Sequence, residues 1–190
     1  VLEKDFVQGL YEYCKANDIL FLVDEVQTGN GRTGKLYAYM HYGITPDAFS
    51  TAKGLGGGLP IGACVMSEKV EKVLGFGDHG STFGGNPVCC AGALSILKRI
   101  DEKLLAEVRE KAAFIREQLT GAKGITGITG MGLMVGIKTE KPAGELVRAL
   151  NEKGVLCLTA KDKVRLLPAL NIPMDVLERA VNAIKDVCAE

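Results

Sequence analysis

Asp24 directly follows the apolar run Ile19-Leu20-Phe21-Leu22-Val23, and Lys53 follows the short segment Ala48 to Ala52 and precedes the glycine-rich stretch Gly54 to Gly58. In open α/β sheets, ligands gather at the carboxyl ends of strands. A carboxylate there can meet a cationic ligand atom. A lysine there, ringed by small residues, has room to form a Schiff base with a ligand carbonyl. Taken singly, each residue has a plain alternative: Asp24 as a polar strand end, Lys53 as a solvated loop lysine. Taken together they are the pair that pyridoxal 5'-phosphate (PLP) chemistry demands. The lysine forms the imine, and the acid keeps the pyridine nitrogen protonated, so that the ring absorbs the electrons released when a substrate Cα–H bond breaks.

Around this pair the sequence is specific. Asp24-Glu25-Val26-Gln27-Thr28-Gly29 followed by Gly31-Arg32-Thr33-Gly34, then Thr45-Pro46-Asp47, then Ala52-Lys53-Gly54-Leu55-Gly56-Gly57-Gly58-Leu59-Pro60-Ile61-Gly62-Ala63, and finally His79-Gly80-Ser81-Thr82-Phe83-Gly84-Gly85-Asn86-Pro87 occur in order. This series resembles the signatures of the class III aminotransferases, and the forms are most similar to the acetylornithine-type members. The resemblance runs in register over essentially the whole chain. It implies that Lys53 binds the cofactor and then moves the proton between the substrate Cα and the cofactor, and that Asp24 pairs with the pyridine nitrogen. It further implies that Val26 lies on a ring face, a role hardly distinct from core filling, and that Gln27 bonds near the ring hydroxyl. Ser81 and Thr82 are implied cofactor binders, Thr82 toward the phosphate of the other subunit of a homodimer with a shared active site. The plain alternative for Thr82 is a turn hydroxyl bonding its own backbone.

Arg165 lies in Val164-Arg165-Leu166-Leu167-Pro168-Ala169-Leu170. An arginine flanked by apolar residues suits a bidentate grip on a carboxylate. It resembles the family arginine that holds the substrate α-carboxylate, although Ala169 stands where the family usually has a second proline. The implied substrates are an amino acid and a 2-oxo acid: N-acetylornithine and 2-oxoglutarate, in arginine biosynthesis. Ornithine, succinylornithine, succinyl-diaminopimelate and 4-aminobutyrate enzymes share these motifs, so the amino donor stays open. A second class of reading comes from Gly29-x-Gly31-x-x-Gly34, which satisfies a dinucleotide fingerprint, and from Gly29 to Lys35, which nearly satisfies a P-loop. Leu36 stands where the P-loop needs Ser or Thr for Mg²⁺, and the fingerprint alone is weak.

The elements that must position these residues follow from periodicity and punctuation. Helical spacing over 5–17 precedes the strand at 19–23. A loop at 29–34, a short helix at 35–42, a strand at 48–52, a glycine loop, a strand at 61–66 and a short helix at 67–74 capped by Ser67 come next. Asn86-Pro87 signals a helix start, and apolar steps of three or four from Leu97 to Leu119 predict one long helix from 87 onward that joins two domains. Beyond Gly121, strands at 133–138, 155–158 and 164–167 and helices at 143–153 and 175–187 predict a small α+β unit. The expected fold class is therefore α/β. The resemblance implies that residues 1–95 are the C-terminal part of a PLP-dependent transferase large domain, a mostly parallel sheet with flanking helices, and that residues 96–190 are the linking helix and a small C-terminal α+β domain.

Composition narrows the function classes. Of 190 residues 47% are hydrophobic, and Lys+Arg 23 balance Asp+Glu 23, so the net charge is formally +0. That argues against nucleic acid or an anionic membrane as the main partner, since both select a basic surface. No apolar run approaches the roughly 20 residues that span a bilayer. Six cysteines without a C-x-x-C pair read as reduced thiols, and two scattered histidines give no metal site. A cytoplasmic location is expected. The start at Val1 and the surface-type first helix lead us to expect the C-terminal portion of a longer enzyme. The phosphate cup and the ring-stacking aromatic would then lie upstream, and the isolated chain would be incomplete or catalytically silent.

Overall fold

The computed structural model describes residues 1–190. The chain folds into two units, Leu2–Glu102 and Lys103–Glu190.

In the first unit, α1 (Lys4–Ala16) leads into β1 (Leu22–Asp24), β2 (Ala48–Thr51) and β3 (Ala63–Met66), which form a three-stranded sheet in that order. β1 and β2 are parallel, with Leu22 opposite Ala48 and Asp24 opposite Ser50. β2 and β3 are antiparallel. The link between β2 and β3 holds no α-helix, and a parallel return needs a crossover of a dozen or more residues. Phe49 anchors this unit, with the Tyr37 and Tyr39 rings at 4.5 and 5.4 Å from its own. Gln8 ties α1 to the sheet side by donating Nε2 to the Tyr42 carbonyl at 2.7 Å.

Several sequence expectations shift here. The run 19–23 predicted a buried strand, but β1 is only three residues long and Leu22 is 65% exposed. β1 is the edge of this sheet, and residues 19 and 20 extend past the start of β2. Phe21 is fixed instead by Asp47: its N–H donates to Asp47 Oδ2 at 2.8 Å, and its carbonyl accepts from Asp47 N at 2.9 Å. The helix expected over 35–42 is a single 3₁₀ turn, Ala38–His41. Residues 67–74 form turns, not a helix; Ser67 accepts from Val70 and Glu71 N–H through its backbone, not its side chain. With Val70 as the only buried residue of that stretch, an amphipathic face is lacking.

The long helix predicted from 87 to 119 is two helices, α2 (Pro87–Leu97) and α3 (Glu102–Leu119). α2 begins as its sequence predicts: Asn86 Oδ1 accepts from Val88 N at 3.0 Å and Cys89 N at 3.3 Å. Tightened bonds close its end, with Arg99 N to the Ile96 carbonyl and Ile100 N to that of Leu97, and Asp101 supplies a residue type favoured just before a helix. The apolar steps continue across the break, so periodicity alone could not reveal it.

In the second unit, α3, α4 (Ala143–Glu152) and α5 (Met174–Ala189) accompany a four-stranded antiparallel sheet. Its strands β4 (Ile125–Met131), β5 (Met134–Thr139), β6 (Leu158–Ala160) and β7 (Lys163–Leu166) lie in the order β4-β5-β7-β6. β4 is absent from the sequence expectation, because Gly127 and Gly130 break the β-propensity that would mark a strand. The core is continuous: Val108, Ile115, Leu119, Ile137 and Leu150 are each 0% exposed. No helix of the chain is long and apolar enough to cross a membrane.

Candidate active site

The parallel pairing of β1 with β2 puts the carboxylate and the lysine at one end of one sheet. Asp24 is the last residue of β1, opposite Ser50; Lys53 follows β2 after the single residue Ala52. The Asp24 carboxylate is exposed, yet held. Its Oδ1 accepts from Val26 N at 2.9 Å and Ser50 Oγ at 3.1 Å, while Oδ2 accepts no bond. One oxygen thus fixes the orientation and the other faces outward, as a partner for a protonated ring nitrogen must.

Glu25 turns to the opposite side of the strand and is 0% exposed. Thr28 Oγ1 donates to its Oε2 at 2.5 Å, and Tyr39 N donates to Oε1 at 2.9 Å. A buried carboxylate is tolerated only when so satisfied. Glu25 thereby stitches the loop after β1 to the 3₁₀ turn. Gly29 completes this loop by close approach: a Cβ there would lie 2.8 Å from the Glu25 carbonyl and 2.9 Å from the Tyr37 ring.

Lys53 is exposed and opens a 3₁₀ turn, Lys53–Gly56, with φ +49°. A non-glycine residue in the left-handed region carries strain, and such outliers gather at functional sites where the surroundings over-determine them. Those surroundings are visible. Asn30, itself at φ +56°, donates Nδ2 to Thr51 Oγ1 and to the Ala52 carbonyl, both at 3.1 Å. Thr51 is 2% exposed, and burial pushes the Tyr37 pKa above its usual value of 10.0. α2 lies against the same turn, since a Cβ on Gly92 would meet the Gly56 carbonyl at 3.2 Å and the Leu59 side chain closer still.

The remaining expected residues fall in three places. Val26 is half-buried and Gln27 exposed, both just beyond Asp24. Ser81 and Thr82 are exposed in the turn before α2, where Gly84 N donates to the Ser81 carbonyl at 3.0 Å. No hydrogen bond joins either hydroxyl to Asp24 or Lys53. Arg165 belongs to the second unit, in β7 between Gly136 of β5 and Leu158 of β6. Its neighbours Val164 and Leu166 point into the core at 2% and 8% exposure, so strand alternation turns Arg165 to the other face, with Lys163. Behind β7, Lys111 Nζ donates to the Leu170 carbonyl at 3.0 Å and steadies the loop that follows.

The glycine decoys are settled by the same geometry. A dinucleotide fingerprint must open a helix, but residues 25–37 contain none. Gly29 is required by the close contact with Tyr37, and Gly31 and Gly34 by φ values of +86° and +87°.

The family model for class III aminotransferases matches residues 1–188. The chain belongs to the class III aminotransferases. This family is PLP-dependent. The chain is 42% identical to the acetylornithine aminotransferase of Haemophilus ducreyi, over 100% of this chain and 49% of that relative. It is 46% identical to that of Corynebacterium efficiens, over 97% of this chain and 46% of the relative. Among solved structures, the acetylornithine aminotransferase from Elizabethkingia anophelis superposes with a TM-score of 0.91 at 35% identity, covering 98% of this chain and 52% of that one. A Toxoplasma gondii ornithine aminotransferase, described with partial occupancy of PLP at its active site, gives 0.89 at 33% identity, with 100% and 47% covered. The chain spans about half the length of the curated relatives it matches.

The donor set fits the family's cofactor: an oriented carboxylate with one uncommitted oxygen, and an exposed lysine at the same sheet end. Sequence reasoning missed Ser50, Asn30, Thr51 and Glu25. A serine one residue before a strand end, or an asparagine inside a glycine-rich turn, signals nothing until the strand register is known.

Proposed function

We propose that this chain carries the lysine-bearing part of a PLP-dependent aminotransferase that transfers the amino group of N-acetylornithine to 2-oxoglutarate. The observation that carries the reading is the placement of the oriented Asp24 carboxylate and of Lys53 at the carboxyl ends of two adjacent parallel strands. The sequence likeness to enzymes named acetylornithine aminotransferase, at 38% to 46% identity, supports this donor first. Ornithine is the second reading, favoured by the likeness to ornithine aminotransferase structures.

When bound, the cofactor supplies an electron sink for cleavage of the substrate Cα–H bond. Asp24 Oδ2 would pair with the ring nitrogen and keep it protonated, while Ser50 and Val26 N–H hold Oδ1 so that the carboxylate does not swing to solvent. Lys53 Nζ would be the attachment point and the base that takes and returns the substrate Cα proton. Val26 covers a ring face, and Gln27 bonds near the ring hydroxyl. Ser81 and Thr82 offer hydroxyls to phosphate, Thr82 toward the other protomer of a homodimer. Arg165 receives a substrate carboxylate, amino acid and 2-oxo acid in turn. A cytoplasmic location fits such an enzyme.

Borohydride treatment of the PLP-loaded full-length protein, followed by peptide mapping, tests the central assignment. The label is expected on Lys53, and Lys53→Ala is expected to abolish transamination. A label on another lysine would sink the reading. A panel of amino donors then ranks acetylornithine against ornithine, with acetylornithine expected to give the higher kcat/KM.

A further inference from the structure

Asn30 is 6% exposed, and its Oδ1 has no hydrogen-bond partner. A buried acceptor left unpaired is a cost that an apolar side chain of similar size would avoid. The amide nitrogen is what the site uses: Nδ2 forks to Thr51 Oγ1 and the Ala52 carbonyl, both at 3.1 Å. The Ala52 carbonyl belongs to the same peptide plane as the Lys53 N–H. That carbonyl also accepts from Leu55 N at 3.0 Å. The plane is therefore held from both sides, by a side chain twenty-odd residues upstream and by the turn itself. The Leu55 bond spans Lys53 and Gly54, so with its acceptor fixed the turn also constrains the Lys53 backbone, which sits at φ +49°.

We infer that Asn30 is a positioning residue for Lys53: its amide clamps the Ala52–Lys53 peptide and thereby holds Lys53 in its left-handed conformation, aimed for cofactor attachment. The inference rests on the reading of Lys53 given above. It does not follow from the left-handed φ of Asn30 alone, which glycine would satisfy without a fork.

Two variants of the full-length enzyme test it. Asn30→Gly keeps the backbone conformation and removes both bonds. Asn30→Asp keeps the shape and the tolerance for positive φ but exchanges the donor for an acceptor facing the Ala52 carbonyl. Amide hydrogen exchange without cofactor is the first readout. In both variants the Leu55 amide, whose acceptor is the Ala52 carbonyl, is expected to exchange about tenfold faster, the equivalent of one to two net hydrogen bonds lost. The strand amides of Val23 and Phe49 should be unchanged. With cofactor, kcat is expected to fall by a similar factor while KM for the amino donor holds. An unchanged Leu55 amide in both variants would overturn the inference, as would uniform acceleration across the strands, which marks a merely structural residue. Borohydride mapping on the wild type separates the two levels. A label elsewhere than Lys53 refutes the reading of the lysine, whatever the exchange data show for the clamp.

Discussion

Ser50 donates its hydroxyl to Asp24 Oδ1 at 3.1 Å from the position directly opposite it in the parallel register of β1 and β2. The bond exists because parallel pairing sets the two residues side by side at the open end of the sheet. It leaves Oδ2 as the outward oxygen. Ser50→Ala is expected to lower kcat roughly fivefold, the worth of about 1 kcal/mol for one hydrogen bond, with little change in KM. Asp24→Asn removes the charge that keeps the ring nitrogen protonated, and is expected to slow Cα–H cleavage by orders of magnitude while much of the cofactor binding survives. Single-turnover absorbance with deuterated donor measures the step. Near-normal turnover in Asp24→Asn would mark the aspartate as structural.

Arg165→Lys tests the carboxylate grip. A bidentate arginine–carboxylate contact loses both geometry and part of its strength when a point-charge ammonium replaces the fork. KM is expected to rise about tenfold or more, roughly 1.4 kcal/mol, for the amino donor and 2-oxoglutarate alike, because both bring a carboxylate to the same arginine. Steady-state kinetics on each substrate check this. A fall in thermal stability with both KM values unchanged would assign Arg165 to the fold of its sheet.

Gly29→Ala addresses the loop that carries the site. A methyl group 2.8 Å from the Glu25 carbonyl and 2.9 Å from the Tyr37 ring cannot be accommodated without moving one of them. The expected cost is about 1–3 kcal/mol, as for other overpacked sites, and it should appear as a lowered midpoint in thermal denaturation. The same variant would retain full stability if the loop were free to shift.

Much of this site is legible in the sequence. Asp24 and Lys53 are readable because strand, polar residue and glycine turn follow each other along the chain, and the Asn86-Pro87 start of α2 is a local signal. What cannot be read depends on register or on distance. Ser50 gains meaning only from the parallel pairing with β1. Asn30 gains it only from a fork to the last residue of β2 and the one after it. The break between α2 and α3 hides under apolar steps that continue through it, and β4 hides behind Gly127 and Gly130. The exposure of Leu22 follows from the edge position of β1, which five apolar residues in a row do not disclose.

The last prediction concerns pH. Burial, and then the nearby Glu25 carboxylate, raise the Tyr37 pKa above its usual value of 10.0, while the Thr51 hydrogen bond acts in the opposite sense. A group whose folded pKa is raised adds stability that is complete below the unfolded pKa and is lost as pH rises toward and through the folded value. Between those two values the native protein keeps the proton that the unfolded chain has released, so stability must fall with increasing pH. The window opens at about pH 10, the ordinary tyrosine value. Tyr37→Phe removes the titrating hydroxyl. The variant lacks the contribution that the protonated hydroxyl makes to stability at pH 7. It should lose less stability between pH 9 and pH 11 (roughly the span around the tyrosine pKa), so that the two denaturation curves converge. Urea unfolding at a series of alkaline pH values measures the slope directly. Parallel slopes for wild type and variant would show that Tyr37 is not the group that titrates.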